Sequence, residues 1–295
     1  LKPAFLISTP GGSASMWLSA SLNRHPDIIC HHALRRDPGK GDDAQNLTAE
    51  ELVDLLFEMR AQEEEGQCVG SIHSFFDSAG GPEILERGGA FLAIVRDPFL
   101  RVHSLFSHHY LQFADAPEII TDVYGDAEEM GRLTPLDDGY KGIIPFDKKA
   151  YADDGEIVPD VEGLTETERT FSLILNQVFG GDFSNFHFIG LEGILHFEKM
   201  VRDETYLATR LGLALDIDAG EFMSIFADSK KEKTNRHSLT PITKASEVFE
   251  IWPEQFRRLF MFTVLRLGYA EIDSLYKSLE YPFEDVIRSY ASKLA

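Results

Sequence analysis

A short apolar strand, Ala4 to Ser8, runs straight into Thr9-Pro10-Gly11-Gly12-Ser13-Ala14-Ser15-Met16-Trp17 and then into a segment of helical character. Gly11 and Gly12 carry no Cβ and tolerate positive φ. Ser13 and Ser15 add hydroxyl donors, and the N–H groups that open the following helix point back into the turn. The result is an anion cradle suited to phosphate or sulfate. It is not the nucleoside-triphosphate loop that ends in Gly-Lys-Ser/Thr, because no lysine lies between Thr9 and Leu18 to reach a terminal phosphate.

The rest of the chain keeps the same alternation. Apolar strands are expected at Ile28-Ile29-Cys30, up to His73, at Phe91 to Val95 and at Phe186 to Gly190, separated by longer amphipathic stretches. Thr48-Ala49-Glu50-Glu51 and Thr165-Glu166-Thr167-Glu168 are capping boxes that start helices, and Gly180-Gly181 is expected to close the second. The pattern predicts an α/β fold, a central parallel sheet flanked by helices with P-loop-like architecture, as one domain over residues 1–295. Ligand then belongs at the carboxyl ends of the strands, where Gly11, His73 and Arg96 fall.

A second anion site is expected where the strand Phe91 to Val95 meets Arg96-Asp97-Pro98. Asp97 caps and Pro98 opens a helix running to about Gln112, with Phe99, Val102, Phe106 and His109 on one stripe and Arg101, Ser104 and His108 on another. A guanidinium at the strand end and a hydroxyl two turns into the helix would both grip a phosphate.

With two anion sites, the chain resembles the sulfotransferases that use 3′-phosphoadenosine 5′-phosphosulfate (PAPS), over about residues 4–270. Thr9 to Leu18 is similar to that family's 5′-phosphosulfate loop. Arg96-Asp97-Pro98 with Arg101, Ser104 and His108 is similar to its 3′-phosphate motif. Leu191-Glu192-Gly193-Ile194 looks like the Tyr-Glu-Asp-Leu segment, Leu207 to Leu213 like the Phe-Leu-Gly-Leu stretch, and Arg24-His25-Pro26-Asp27-Ile28 has the family's shape ahead of the second strand. The resemblance implies that Gly11, Gly12, Ser13, Ala14, Ser15, Met16 and Trp17 hold the 5′-phosphosulfate and that Arg96 and Ser104 hold the 3′-phosphate. Lys233 and Arg236, in the chain's dense basic run, would contact phosphate from a late covering loop. Two departures stand out: the family's usual Lys or Arg of the loop is Gly12, and its usual glycine two places on is Ala14.

Sulfuryl transfer to a hydroxyl needs a general base. The resemblance assigns that role to His73, which occupies the place of the base in the family's Lys-Thr-His segment, with Ser71 where the lysine would be. His32, with His31 beside it on the second strand, stands near where other branches carry a glutamate base; alternation along a strand lets only one of the two face the cleft. No metal is expected, since the 10 histidines and two isolated cysteines include no His-Glu-x-x-His or zinc spacing.

The net charge of −21 disfavours nucleic acid as a partner. About half of that excess falls between Ala114 and Gly163, with 14 acidic and 4 basic residues in an insertion or lid at about 114–163. Cys30 and Cys68 suit a reducing compartment. No span is long enough to cross a membrane and residue 1 sits next to the first strand, so a cytoplasmic protein without a signal peptide is expected; the initial Leu leaves a removed leader or anchor open. The expected activity is transfer of a sulfuryl group from PAPS, leaving 3′,5′-ADP, to a hydroxyl or amine of a small-molecule, lipid or glycan acceptor. A nucleotide kinase-like phosphotransferase and a catalytically impaired nucleotide-binding homologue remain as alternatives.

Overall fold

The computed structural model describes residues 3–9, 14–34, 47–63, 66–73, 77–113, 166–229 and 244–294. The acidic insertion, Gly11 to Ser13, Lys233 and Arg236 therefore lie outside the described residues. By compactness the chain divides into two units, residues 1–96 with 184–235, and residues 97–183 with 236–295.

The first unit is built on β1 (Ala4–Ser8), β2 (Ile28–His32), β3 (Cys68–Ile72), β4 (Ala90–Val95) and β5 (Ile194–His196), all parallel in the order β2-β3-β1-β4-β5. This is the expected α/β architecture. Successive strand residues point to opposite faces, and both faces are apolar, as a parallel sheet covered on two sides requires. Phe5, Ile7, Ile28, Cys30, Ile72, Leu92 and Ile94 meet α1 (Ser15–Leu22) and two later helices through Trp17, Leu18, Leu211 and Phe222. Ala4, Leu6, Val69 and Phe91 meet α2 (Ala49–Gln62) and α3 (Asp77–Glu86) through Leu52, Val53, Leu56 and Ile84. Gly70 in β3 has no room for a side chain: a Cβ there would lie 2.4 Å from the Phe5 ring.

The capping box at Thr48 forms as expected. Its hydroxyl accepts from the Glu51 N–H at 3.3 Å, and Glu51 Oε2 accepts from the Thr48 N–H at 2.9 Å. α4 (Pro98–Phe113) begins where the sequence places it, with Asp97 Oδ1 accepting from the Leu100 N–H at 3.0 Å.

Two expected features are corrected. α5 (Glu166–Ile189) runs through Gly180-Gly181 instead of ending there. Phe171, Ile174, Leu175, Val178 and Phe179 are buried along it and Asp182 and Asn185 carry the stripe onward, which outweighs the roughly 1 kcal/mol that each glycine costs in a helix. The strand expected at Phe186 to Gly190 is accordingly the last turn of this helix and the bend after it. The fifth strand is β5, and Leu191–Gly193 forms a 3₁₀ turn leading into it.

The chain continues with α6 (Phe197–Arg202), α7 (Glu204–Leu215) and α8 (Ala219–Ser229) in the first unit. In the second are α9 (Ala245–Ile251), α10 (Glu254–Leu267), α11 (Tyr269–Ser278) and α12 (Phe283–Leu294). The second unit has an aromatic core, with Phe99 stacked on Phe260 at 5.0 Å and Phe171 on Phe256 at 4.2 Å. Arg101 is fully buried there: its Nη1 donates to Asp182 Oδ1 at 2.8 Å, and Tyr276 donates to Asp182 Oδ2 at 2.9 Å. That environment makes Arg101 a structural cation, although it shares a helical stripe with Ser104.

Candidate active site

The loop that follows β1 has two described flanks. On one side, β1 ends at Ser8 and Thr9, both buried. On the other, Ala14 stands at the N-cap of α1 with φ 57° and ψ 30°, a left-handed conformation, and has no side-chain oxygen with which to cap the helix. The Leu18 N–H donates to the Ala14 carbonyl at 3.0 Å, so the N–H groups of Ser15, Met16 and Trp17 lie ahead of that bond at the positive end of α1. Trp17 buries its ring among core side chains, while Met16 is exposed.

Two histidines hold these flanks. His73, one residue past β3, sits at φ 63°, a positive value uncommon for a non-glycine residue. Its Nδ1 lies 2.8 Å from the Thr9 carbonyl; a carbonyl only accepts, so Nδ1 carries the hydrogen and the lone pair of the neutral ring is on Nε2. His32, the last residue of β2, places Nε2 3.1 Å from Ser15 Oγ. The two imidazoles meet with centroids 5.4 Å apart. Loss of solvation, and then the neighbouring imidazole of His73, push His32 down to about 4, so it is neutral at physiological pH. His31 belongs to the opposite face of β2, as alternation requires. Burial pushes its imidazole below the ordinary value, with Glu63 acting the other way.

Arg96 stands at the end of β4 with its guanidinium 4.8 Å over the Phe197 ring and Nε 4.0 Å from Glu198 Oε1. Phe197 and Glu198 open α6, directly after β5. The other carboxylate oxygen of Glu198 lies 3.6 Å from His196 Nδ1. Ser104 is half-buried on α4 and belongs to the second unit. Among the described residues, no group of three His, Cys, Asp or Glu side chains could hold a metal ion.

No protein-family model and no curated protein sequence matches the chain. A search of solved structures matches it to mouse sulfotransferase SULT7A1 complexed with PAP, at a TM-score of 0.50 and 13% identity over 94% of this chain and 88% of that one. The fold is a sulfotransferase-like α/β fold.

In that fold, the positions brought together at the carboxyl ends of the strands of the first unit are Thr9, Ala14, Ser15, His32, His73 and Arg96. The sequence reading gave a role to all of these except Thr9, whose contact with His73 is made by a backbone carbonyl and so leaves no side-chain signal. It missed Phe197 and Glu198. The segment compared with Tyr-Glu-Asp-Leu was Leu191-Glu192-Gly193-Ile194, whereas the residues that follow the strand are Phe197-Glu198-Lys199-Met200. These keep the aromatic, glutamate and apolar positions of that pattern, and this spacing after an apolar run was the available signal. Asn185 was also missed; on α5, it donates from Nδ2 to Ser8 Oγ at 3.0 Å and steadies the end of β1.

Proposed function

We propose that the protein is a sulfotransferase that takes a sulfuryl group from PAPS to a hydroxyl or amine of a small-molecule, lipid or glycan acceptor. The observation that carries this reading is the histidine fixed at the carboxyl edge of the sheet: His73 is held by Thr9 in the tautomer whose Nε2 can accept a proton, at the same edge as the N-terminus of α1, where Ala14 makes no side-chain cap.

PAPS supplies the sulfuryl group. His73 Nε2 takes the acceptor's proton as the acceptor oxygen or nitrogen forms its bond to sulfur. The bond from sulfur to the bridging oxygen breaks, and 3′,5′-ADP leaves. Negative charge gathers on the departing phosphate, and the N–H groups of Ser15, Met16 and Trp17 with the Ser15 hydroxyl lie where they would stabilise it; Gly11, Gly12 and Ser13 complete this cradle by the family pattern. Gly12 brings no cation, so Lys233 and Arg236 are the residues that the pattern assigns to that charge. Arg96 holds the 3′-phosphate. The two buried cysteines, neither in a disulfide, fit a cytoplasmic setting, and no described helix is long and apolar enough to cross a membrane.

The test is release of 3′,5′-ADP from PAPS in the presence of neutral phenols, amines, sterols and glycans. His73→Ala is expected to lower transfer by about 10²-fold or more, as for loss of a general base, while 3′,5′-ADP affinity stays within about twofold. Transfer that survives in His73→Ala removes His73 from the mechanism, and no transfer to any acceptor class by the wild-type protein contradicts the reading.

A further inference from the structure

Parallel alternation explains why His32 and His73 meet. β2 and β3 are neighbours, with His32 in register with Ile72, and His32 lies on the face of β2 that carries Ile28 and Cys30 toward α1. The two imidazoles therefore lie at the same sheet edge, and each reaches a different flank of the anion loop. His73 takes Thr9 at the end of β1, and His32 takes Ser15 in the first turn of α1.

We propose that His32 is a positioning residue for the anion cradle, holding Ser15 so that its hydroxyl hydrogen is directed to the 5′-phosphosulfate while His73 holds the opposite flank. This rests on the sulfotransferase reading, and it gives His32 a part separate from that of a general base. A serine whose hydrogen goes to an anion has only its oxygen lone pairs left for the imidazole. In the loaded site His32 Nε2 must then carry the hydrogen and donate to Ser15 Oγ. A neutral imidazole can do so. An imidazole whose Nε2 is taken up by Ser15, and whose hold on an added proton burial weakens to a value of about 4, is a weak base for a substrate proton, which leaves that work to His73.

The test separates the 5′ end of the nucleotide from the 3′ end. Calorimetry is run with 3′,5′-ADP and with adenosine 3′-phosphate, which lacks the 5′ group that Ser15 would hold. The proteins are the wild type, His32→Leu, His32→Gln, Ser15→Ala and the double variant His32→Leu/Ser15→Ala. His32→Leu and Ser15→Ala are each expected to weaken 3′,5′-ADP by about tenfold, the scale of one charge-assisted hydrogen bond, and to leave adenosine 3′-phosphate unchanged. The double variant is expected to lose no more than either single change, because both remove one interaction. His32→Gln keeps an amide donor and should recover most of the loss. Equal weakening of both nucleotides, additive losses, or no rescue by Gln would overturn the positioning role. If wild-type protein binds neither nucleotide, the sulfotransferase reading itself fails and takes this inference with it.

Discussion

Ala14 is an L-residue held at φ 57° where the chain turns into α1. The left-handed region costs a residue with a Cβ roughly 1–2 kcal/mol, and glycine there would return part of the gain, about 0.4–1 kcal/mol, through its freer unfolded state. Ala14→Gly is expected to raise stability by roughly 0.5–1 kcal/mol, read from the urea midpoint; an unchanged or lower midpoint would mean that the turn does not strain Ala14. His32 gives a pH signature. Its folded value, about 4, lies below the ordinary 6.5, so between these values the unfolded chain binds more protons and stability falls as pH falls. Across that window, the thermal midpoint of His32→Gln should decline less steeply than that of the wild type; His31, shifted in the same direction, keeps some slope in both. Glu198 stands 4.0 Å from Arg96 Nε as a like charge to any phosphate that Arg96 takes. Glu198→Gln is expected to tighten 3′,5′-ADP severalfold, most at low salt, where such repulsion is least screened. Weaker binding in that variant would show that the carboxylate's main effect is to hold the guanidinium in place.

Among elements, those whose signals are local match the sequence reading closely. β1 and α4 begin where an apolar run and an Asp-Pro start place them, and the Thr48 box forms with both of its hydrogen bonds. Thr48→Ala should cost about 1 kcal/mol of stability in a chemical melt. The elements misread are those decided by distant partners. Gly180-Gly181 reads as a helix end because glycine does so locally, yet the buried stripe of α5 carries the helix through. β5 has only three residues, too short for an alternation pattern, and its approach is fixed by a residue far along the chain: Arg210 on α7 donates from Nη2 to the carbonyls of Leu191, Glu192 and Ile194. Of the candidate site residues, Ser15, His32, His73 and Arg96 are marked in the sequence by their side-chain chemistry and lie at the carboxyl ends of the strands or in the first turn of α1. The grip of His73 on a backbone carbonyl and the ring of Phe197 beneath Arg96 depend on strand order, which no local pattern encodes.

On the scale of the whole molecule, charge and burial act in different places. With a net charge of −21, the chain repels an anionic nucleotide at long range, so association of 3′,5′-ADP should speed up, or at least not slow, as salt is added. Burial governs the second unit. There Asp182 joins Arg101 and Tyr276 with no access to water, and desolvation holds its carboxyl above the usual carboxylate range even though Arg101 opposes it. Asp182→Ala would strand a buried guanidinium and should cost about 3–5 kcal/mol, well beyond Tyr276→Phe. Equal losses in a denaturant titration would show that the pair is worth no more than a hydrogen bond. The most direct test of the functional reading is calorimetric binding of 3′,5′-ADP, 5′-AMP and ATP with magnesium to the wild type and to Arg96→Ala. The expected result is tight binding of 3′,5′-ADP, at least about tenfold weaker binding of the two nucleotides without a 3′-phosphate, and loss of that difference in Arg96→Ala. Preference for ATP with magnesium, or a 3′-phosphate preference that survives in Arg96→Ala, would contradict it.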